Sequence, residues 1–289
     1  VNRSRVVNVP DKSLYIESIR SALMEDLEHG DITTDLTVGG DDVGSAFIIA
    51  KEDTLVAGGF VAREVFRQLD PGMEIALMNE GSLASSGQII LEARGNLRAI
   101  LMGERVALNF LQRLCGIATF TSSFVERVEG IPCRIVDTRK TTPGLRLLEK
   151  YAVRVGGGYN HRYGLSDGIL IKDNHISACG SVHEAVSRAR MNAPHPLRIE
   201  VEVTTLEELR EAISAGADAV LLDNMDISTM KRAVALARDL KPRLLLEASG
   251  GISLHNVREV ALTGVDIISV GALTHSARAV DLSLRLRGD

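Results

Sequence analysis

Tryptophan is absent from this 289-residue chain, and aromatic residues make up only 3% of it. A surface that stacks nucleic-acid bases on aromatic rings has little to be built from. The formal net charge of −5 also removes any bulk attraction to phosphate backbones. The three cysteines, Cys115, Cys133 and Cys179, are odd in number, far apart and never spaced C-x-x-C. That predicts reduced, buried thiols rather than a disulfide frame or a zinc site. No apolar run approaches the roughly 18 residues of a membrane span, and the opening stretch "VNRSRVVNVPDKS" has no apolar signal-peptide core. The expectation is a soluble, cytoplasmic protein that binds neither nucleic acid nor membrane.

What is present is ordinary core material, 45% hydrophobic and 25% charged, arranged in a rhythm. From residue 134 short apolar runs recur: "RIVD" (134–137), "GILIK" (168–172), "RIEVEV" (198–203), "AVLLD" (219–223), "RLLLEAS" (243–249) and "VDIISVG" (265–271). Between them lie segments of helical spacing, such as "TLEELREAISAGAD", that end at glycine before the next run. Strand–helix alternation of this kind predicts parallel β/α units. Six strands in this length fall short of a full eight-stranded barrel, so the reading is an incomplete β/α barrel, with a doubly wound open sheet as the alternative. Residues 1–115 differ. Their apolar runs are broken by glycine turns and mixed with helical pieces near 14–27 and 60–69, which predicts an α+β companion domain. A long helix, "NLRAILMGERVALNFLQRLCG", leads out of it and carries Glu104 and Arg105 at an otherwise apolar face.

In β/α barrels the strand C-termini converge on one mouth, and here those ends are charged in order. Strand one runs into Asp137, Arg139 and Lys140. His161 and Arg162 precede strand two, which ends at Lys172. Strand three carries Glu200 and Glu202 on one side, strand four ends at Asp223, strand five at Glu247 and "SGG" (249–251), and strand six in "SVGAL" (269–273). Segment 137–175 holds seven Lys/Arg against four Asp/Glu, a formal +3 within a chain of −5. Cations gathered at one mouth repel each other unless an anion is bound among them. Glu202 and Asp223 suit a divalent cation or a developing positive charge, or they neutralise the neighbouring bases. Glycine after two consecutive strands suits a phosphate cradle. The pattern asks for a ligand with two anionic ends.

These stretches, "DTRKTTPGLR", "KYAVRVGGGYNHRYGLSDGILIKDNH", "EVEV", "LLDN", "EASGGI" and "GVDIISVGALTHSARAVDLSL", together resemble the quinolinate phosphoribosyltransferases. The resemblance runs over nearly the whole chain, with "GDITTD" and "GERVALNFLQRLCGIAT" included. It implies an N-terminal α+β, sandwich-like domain over 1–115 and an open, about seven-stranded β/α barrel over 116–275. Segment 276–289 is expected to pack back on the first domain. The reaction implied is phosphoribosyl transfer from 5-phosphoribosyl 1-pyrophosphate to quinolinate with decarboxylation, using Mg²⁺, in a homodimer or a hexamer. Matched position by position, Arg139, His161, Arg162 and Lys172 would form the dicarboxylate pocket, and Arg105 would reach into a partner subunit's site. Thr138 and Lys140 would line the cleft, with Lys140 toward the pyrophosphate. Glu202 and Asp223 would lie near the ribose hydroxyls and the metal. Ser249, Gly250, Gly251, Val270, Gly271 and Ala272 would surround the 5-phosphate, with His275 close behind. The rival readings are a related enzyme using another pyridine carboxylate and a non-catalytic barrel that binds a phosphorylated metabolite.

Overall fold

The computed structural model describes residues 7–287. Residues 1–6 of the opening stretch, and Gly288 and Asp289 of the final segment, lie outside the described residues. The chain forms two compact units, each discontinuous in sequence. One takes residues up to 122 with 141–157 and 273 onward, and the other takes 123–140 with 158–272. Among the described residues no helix is long and apolar enough to cross a membrane. No cysteine is paired, and only Cys115 is buried; Cys133 and Cys179 are half-buried rather than buried as predicted.

In the first unit, strands β1 (Val43–Ala50), β3 (Glu74–Leu77) and β5 (Ile89–Asn96) form an antiparallel sheet, and β2 (Thr54–Leu55) pairs with β4 (Leu83–Ala84). The edge beside β1 is taken by Leu282–Leu286 from the chain's end. Alternation along β1 buries Ala46, Ile48 and Ala50 on one side, the mark of a sheet with one wet face. Helices α1 (Ile16–Leu27), α2 (Ile32–Thr37), α3 (Gly59–Leu69), α4 (Leu97–Arg127) and α5 (Arg146–Val155) complete it. Segment 141–157, read from the sequence as part of the barrel, groups with this unit for a visible reason. Tyr151 of α5 packs edge-on against Phe60 at 5.1 Å and donates to Glu80 at 2.9 Å.

Helix α4 runs eleven residues past Gly116, where the predicted helix "NLRAILMGERVALNFLQRLCG" ends. That glycine is not a stop. A Cβ there would sit 2.0 Å from the Arg278 carbonyl oxygen, so the residue serves a close backbone approach. One turn earlier, Arg113 joins three separate stretches of this unit. Its Nε and Nη2 donate to Glu149 Oε1 at 3.0 and 2.8 Å, and Nη1 donates to the Ala277 carbonyl at 2.9 Å. Nη2 also reaches the Thr274 carbonyl. Glu149 is fully buried and takes a further 2.7 Å bond from Thr142 Oγ1.

The second unit holds β6 (Arg134–Val136), β7 (Ile169–Ile171), β8 (Ile199–Val203), β9 (Ala219–Asp223), β10 (Leu245–Ser249) and β11 (Ile267–Ser269), in the spatial order β6-β11-β10-β9-β8-β7. Every pairing is parallel. The six predicted runs are these six strands. The first strand lies beside the last, and from β8 onward each strand lies beside its predecessor, so the order goes round without reversing. A doubly wound sheet reverses direction about an inner first strand, and this one does not. The one missing adjacency is β6 to β7. There Tyr159 makes an isolated parallel bridge to Val136, its ring under the Arg134 guanidinium at 5.0 Å. The sheet is a β/α barrel opened at a single seam.

Local signals explain the helices between strands. Thr205 caps Leu206–Ser214 by accepting from the Glu208 N–H at 3.1 Å while Glu208 reaches back to the Thr204 and Thr205 amides. A capping box of this kind is worth about 1 kcal/mol.

Candidate active site

Side chains alternate along a strand and register partners share a face, so the pairings decide who meets whom. Glu200 and Glu202 of β8, Leu221 and Asp223 of β9, Glu247 and Ser249 of β10 and Ile267 and Ser269 of β11 fall on one face. Leu170 joins them from β7, and Val136 from β6. The opposite face, Val201, Val203, Val220, Leu222, Leu246, Ala248 and Ile268, is no more than 1% exposed and packs as core. At the strand C-termini the first face presents Glu202, Asp223 and Ser249, a polar layer that Lys172 joins through its bond to Glu202. Toward the N-terminal strand ends, Glu200 and Glu247 line a cavity of ≈ 400 Å³ with His161, Arg162, Ala219, Leu245 and Ile267.

The bases lie around that layer. Lys172 Nζ donates to Glu202 Oε2 at 2.6 Å, with Lys172 46% exposed and Glu202 14%. Such a half-wet pair contributes at most about 1 kcal/mol, so either partner can turn to a ligand cheaply. Arg162 donates to the Gly168 carbonyl at 2.9 Å. Burial, and then the positive charge of Arg139, pull its guanidinium below the usual arginine range. The negative charges of Asp167 and Glu200 offset part of that repulsion, and a bound anion would offset more. Lys140 is exposed, and its N–H donates to Thr138 Oγ1 at 3.1 Å.

His161 faces inward. Its Nε2 lies 3.4 Å from Glu200 Oε2 and 3.5 Å from Glu247 Oε2, while its Nδ1 accepts the Arg162 N–H at 2.7 Å. Burial pulls the imidazole down, but bonds to Glu200 and Glu247 with their negative charges overcome this and lift it to about 10. Burial raises Glu200 as well. Both shifts have the same sign for stability. The contribution is complete below the free histidine value of 6.5 and is lost as pH rises toward about 10. Expected, then, is a Tm that falls from pH 7 to pH 10, with a shallower fall in Glu247→Gln. Parallel curves in a thermal-melt series would show that the cluster holds no proton.

Among the described residues, His161, Glu200 and Glu247 are the group of metal-ligand types whose donor atoms come within 4.8 Å of one another. With Nδ1 used as an acceptor, Nε2 carries hydrogen and offers no lone pair to a cation. Glu202 and Asp223 have the hard oxygen donors that Mg²⁺ takes from a protein. They also share the barrel's inner face at the strand ends.

After β10, Gly250 and Gly251 take φ of 93° and 61°, a run open to glycine alone. Val270 is 1% exposed, and its N–H donates to the Val136 carbonyl at 2.9 Å, so its side chain belongs to the core. Gly271 and Ala272 follow it, half-buried. Arg105 and His275 belong to the first unit. Arg105 is exposed beside a cavity of ≈ 530 Å³ shared with Glu17, Glu25, Asp26 and Arg113. The His275 ring lies 2.6 Å from Ser276 Oγ.

Both parts of the chain have known counterparts. Residues 117–285 match the sequence model described as the quinolinate phosphoribosyl transferase C-terminal domain, and residues 31–115 match the corresponding N-terminal domain. The chain belongs to the quinolinate phosphoribosyl transferase family. The probable nicotinate-nucleotide pyrophosphorylase of Bacillus subtilis is 47% identical over 262 residues, 90% of this chain and 89% of that protein. The Mycobacterium leprae nicotinate-nucleotide pyrophosphorylase is 45% identical, covering 93% and 96%. The crystal structure of the Francisella tularensis nicotinate-nucleotide pyrophosphorylase superposes with a TM-score of 0.91 at 41% identity, over 97% of this chain and 99% of that one.

Within this quinolinate phosphoribosyl transferase, two acidic residues read at strand ends, Asp137 and Glu247, prove to be buried. Asp137, read as part of a cationic strand end, is fully buried. It accepts from Asn160 Nδ2 at 2.6 Å and the His161 N–H at 2.9 Å, and so anchors the loop that carries His161 and Arg162. Glu247 is 2% exposed, with Oε1 buried and bonded to nothing. Its signal was a lone charge inside the apolar run "LLLEAS".

Proposed function

We propose that the protein transfers the phosphoribosyl group of 5-phosphoribosyl 1-pyrophosphate to quinolinate and releases CO₂, giving nicotinate mononucleotide and pyrophosphate for NAD biosynthesis. Two features support this reading: Arg162 with the charge of Arg139 close to it, and Glu202 and Asp223 on the barrel's inner face at the strand ends with a glycine run after β10. A dianionic pyridine fits the first, and a phosphorylated sugar fits the second.

Arg139, Arg162 and Lys172 hold the two quinolinate carboxylates. His161, turned toward Glu200 and Glu247, sets the Arg162 backbone. Ser249, Gly250, Gly251, Gly271 and Ala272 surround the 5-phosphate through main-chain groups, with Val270, its N–H held by the Val136 carbonyl, fixing the second loop, and Thr138 lines the cleft. The anomeric C–O bond breaks with its electron pair leaving on pyrophosphate, toward Lys140. Glu202 and Asp223 stabilise the positive charge that develops on the sugar. The pyridine nitrogen's lone pair forms the new C–N bond. The ring is then cationic, so the bond to the 2-carboxylate breaks with its electrons left on the ring carbon. CO₂ departs and a proton from water takes its place. Glu202 and Asp223 would hold Mg²⁺, which would neutralise charge on the phosphates. No side chain forms a covalent bond to substrate, and orientation and electrostatics carry the rate. The working protein is a cytoplasmic homodimer, or a hexamer built from dimers, with Arg105 reaching into the partner's site.

The test is direct. With quinolinate labelled in its 2-carboxylate, 5-phosphoribosyl 1-pyrophosphate and Mg²⁺, the protein should release one labelled CO₂ per pyrophosphate. Nicotinate in its place should give no pyrophosphate. Turnover of nicotinate with none of quinolinate would overturn the assignment.

A further inference from the structure

Asp223 is held by its own neighbour in sequence. Asn224 Nδ2 donates to Asp223 Oδ2 at 2.7 Å, and the Asn224 N–H donates to the Ser249 carbonyl at 2.9 Å. A Cβ placed on Gly250 would lie 2.2 Å from Asn224 Oδ1, so the amide rests directly against the glycine loop. One side chain therefore touches both the carboxylate at the end of β9 and the backbone after β10.

The backbone at Asn224 is unusual as well. Its φ is 52°, and among the described residues it is the one non-glycine with a positive φ; the twelve others are glycines. If the chain needed only the left-handed bend, glycine would supply it without steric cost. Asparagine pays a small penalty there and brings an amide in return, whose hydrogen is spent on Asp223.

We propose that Asn224 is a positioning residue for sugar-donor recognition, fixing the Asp223 carboxylate and the Gly250 backbone in register with each other. The inference rests on the functional reading above in placing the donor at Asp223 and the Ser249–Gly251 loop. Losing a hydrogen bond to a charged group from such a pair lowers affinity or rate about ten- to a hundredfold.

Three variants separate the amide from the backbone bend. Asn224→Gly keeps the left-handed conformation and should melt at the wild-type temperature. Its kcat/KM for 5-phosphoribosyl 1-pyrophosphate should nevertheless fall about ten- to a hundredfold, and its affinity for that donor with Mg²⁺, measured by calorimetry, should weaken, while KM for quinolinate stays within twofold. Asn224→Ala should lose the same and melt lower too. Asn224→Asp removes the donor hydrogen and sets a second carboxylate beside Asp223, so the acid limb of its rate profile should move to higher pH. Wild-type donor kinetics and binding in Asn224→Gly would overturn the inference while leaving the reaction assignment intact. A wild type that releases no CO₂, yet whose donor binding is weakened by Asn224→Gly, would overturn the reaction assignment and support the inference.

Discussion

Arg139→Ala should cut kcat/KM for quinolinate by about a hundredfold or more, the cost of removing one of several converging charge-assisted partners from a bound dianion. KM for 5-phosphoribosyl 1-pyrophosphate should stay within a few-fold of wild type. The same variant should melt close to wild type without ligand, since Arg139 is only half-buried. Steady-state kinetics on each substrate and a thermal melt decide it. Equal losses toward both substrates, or a melting temperature several degrees lower, would show that Arg139 is a structural residue.

Arg113→Ala should destabilise the fold strongly. It strands Glu149, which is fully buried, with only the Thr142 donors left. Breaking a buried pair by removing one partner costs roughly 3–5 kcal/mol, or a Tm drop on the order of 10 °C in a chain this size. Two further bonds, to the Ala277 and Thr274 carbonyls, go with it. Those contacts are what tie α4 to segments 141–157 and 273–287. Replacing both partners, Arg113→Met with Glu149→Leu, should restore part of the loss, because no charge is then left unpaired. A double variant as unstable as the single one would mean that the carbonyl bonds, and not the ion pair, carry the stabilisation. Chemical denaturation of all three proteins separates the two accounts.

These two arginines differ in how legible they were. Arg139 sits at the end of an apolar run, and a charge in that place is a sequence-level signal because parallel strands deliver their C-termini to one mouth. The same rule found Lys172, Glu202, Asp223 and Ser249, and the pairings place the last three on one face with Lys172 bonded to Glu202. Arg113 carried no such signal. It lies among apolar residues of a helix, and its partner Glu149 is 36 residues away. Gly116 misled for a related reason. Glycine at a helix end and glycine under a crossing backbone look alike until Arg278 is brought beside it.

By itself, then, the sequence determined the six barrel strands, the charged layer at their ends and the family. Each follows from local periodicity or from a motif that is contiguous in the chain. Only the tertiary structure decided that the sheet closes round with its gap between the first and second strands, since strand order depends on pairings between distant segments. It alone turned His161 toward Glu200 and Glu247, and Asn224 toward Asp223 and Gly250. A side chain's direction is chosen by neighbours that folding supplies.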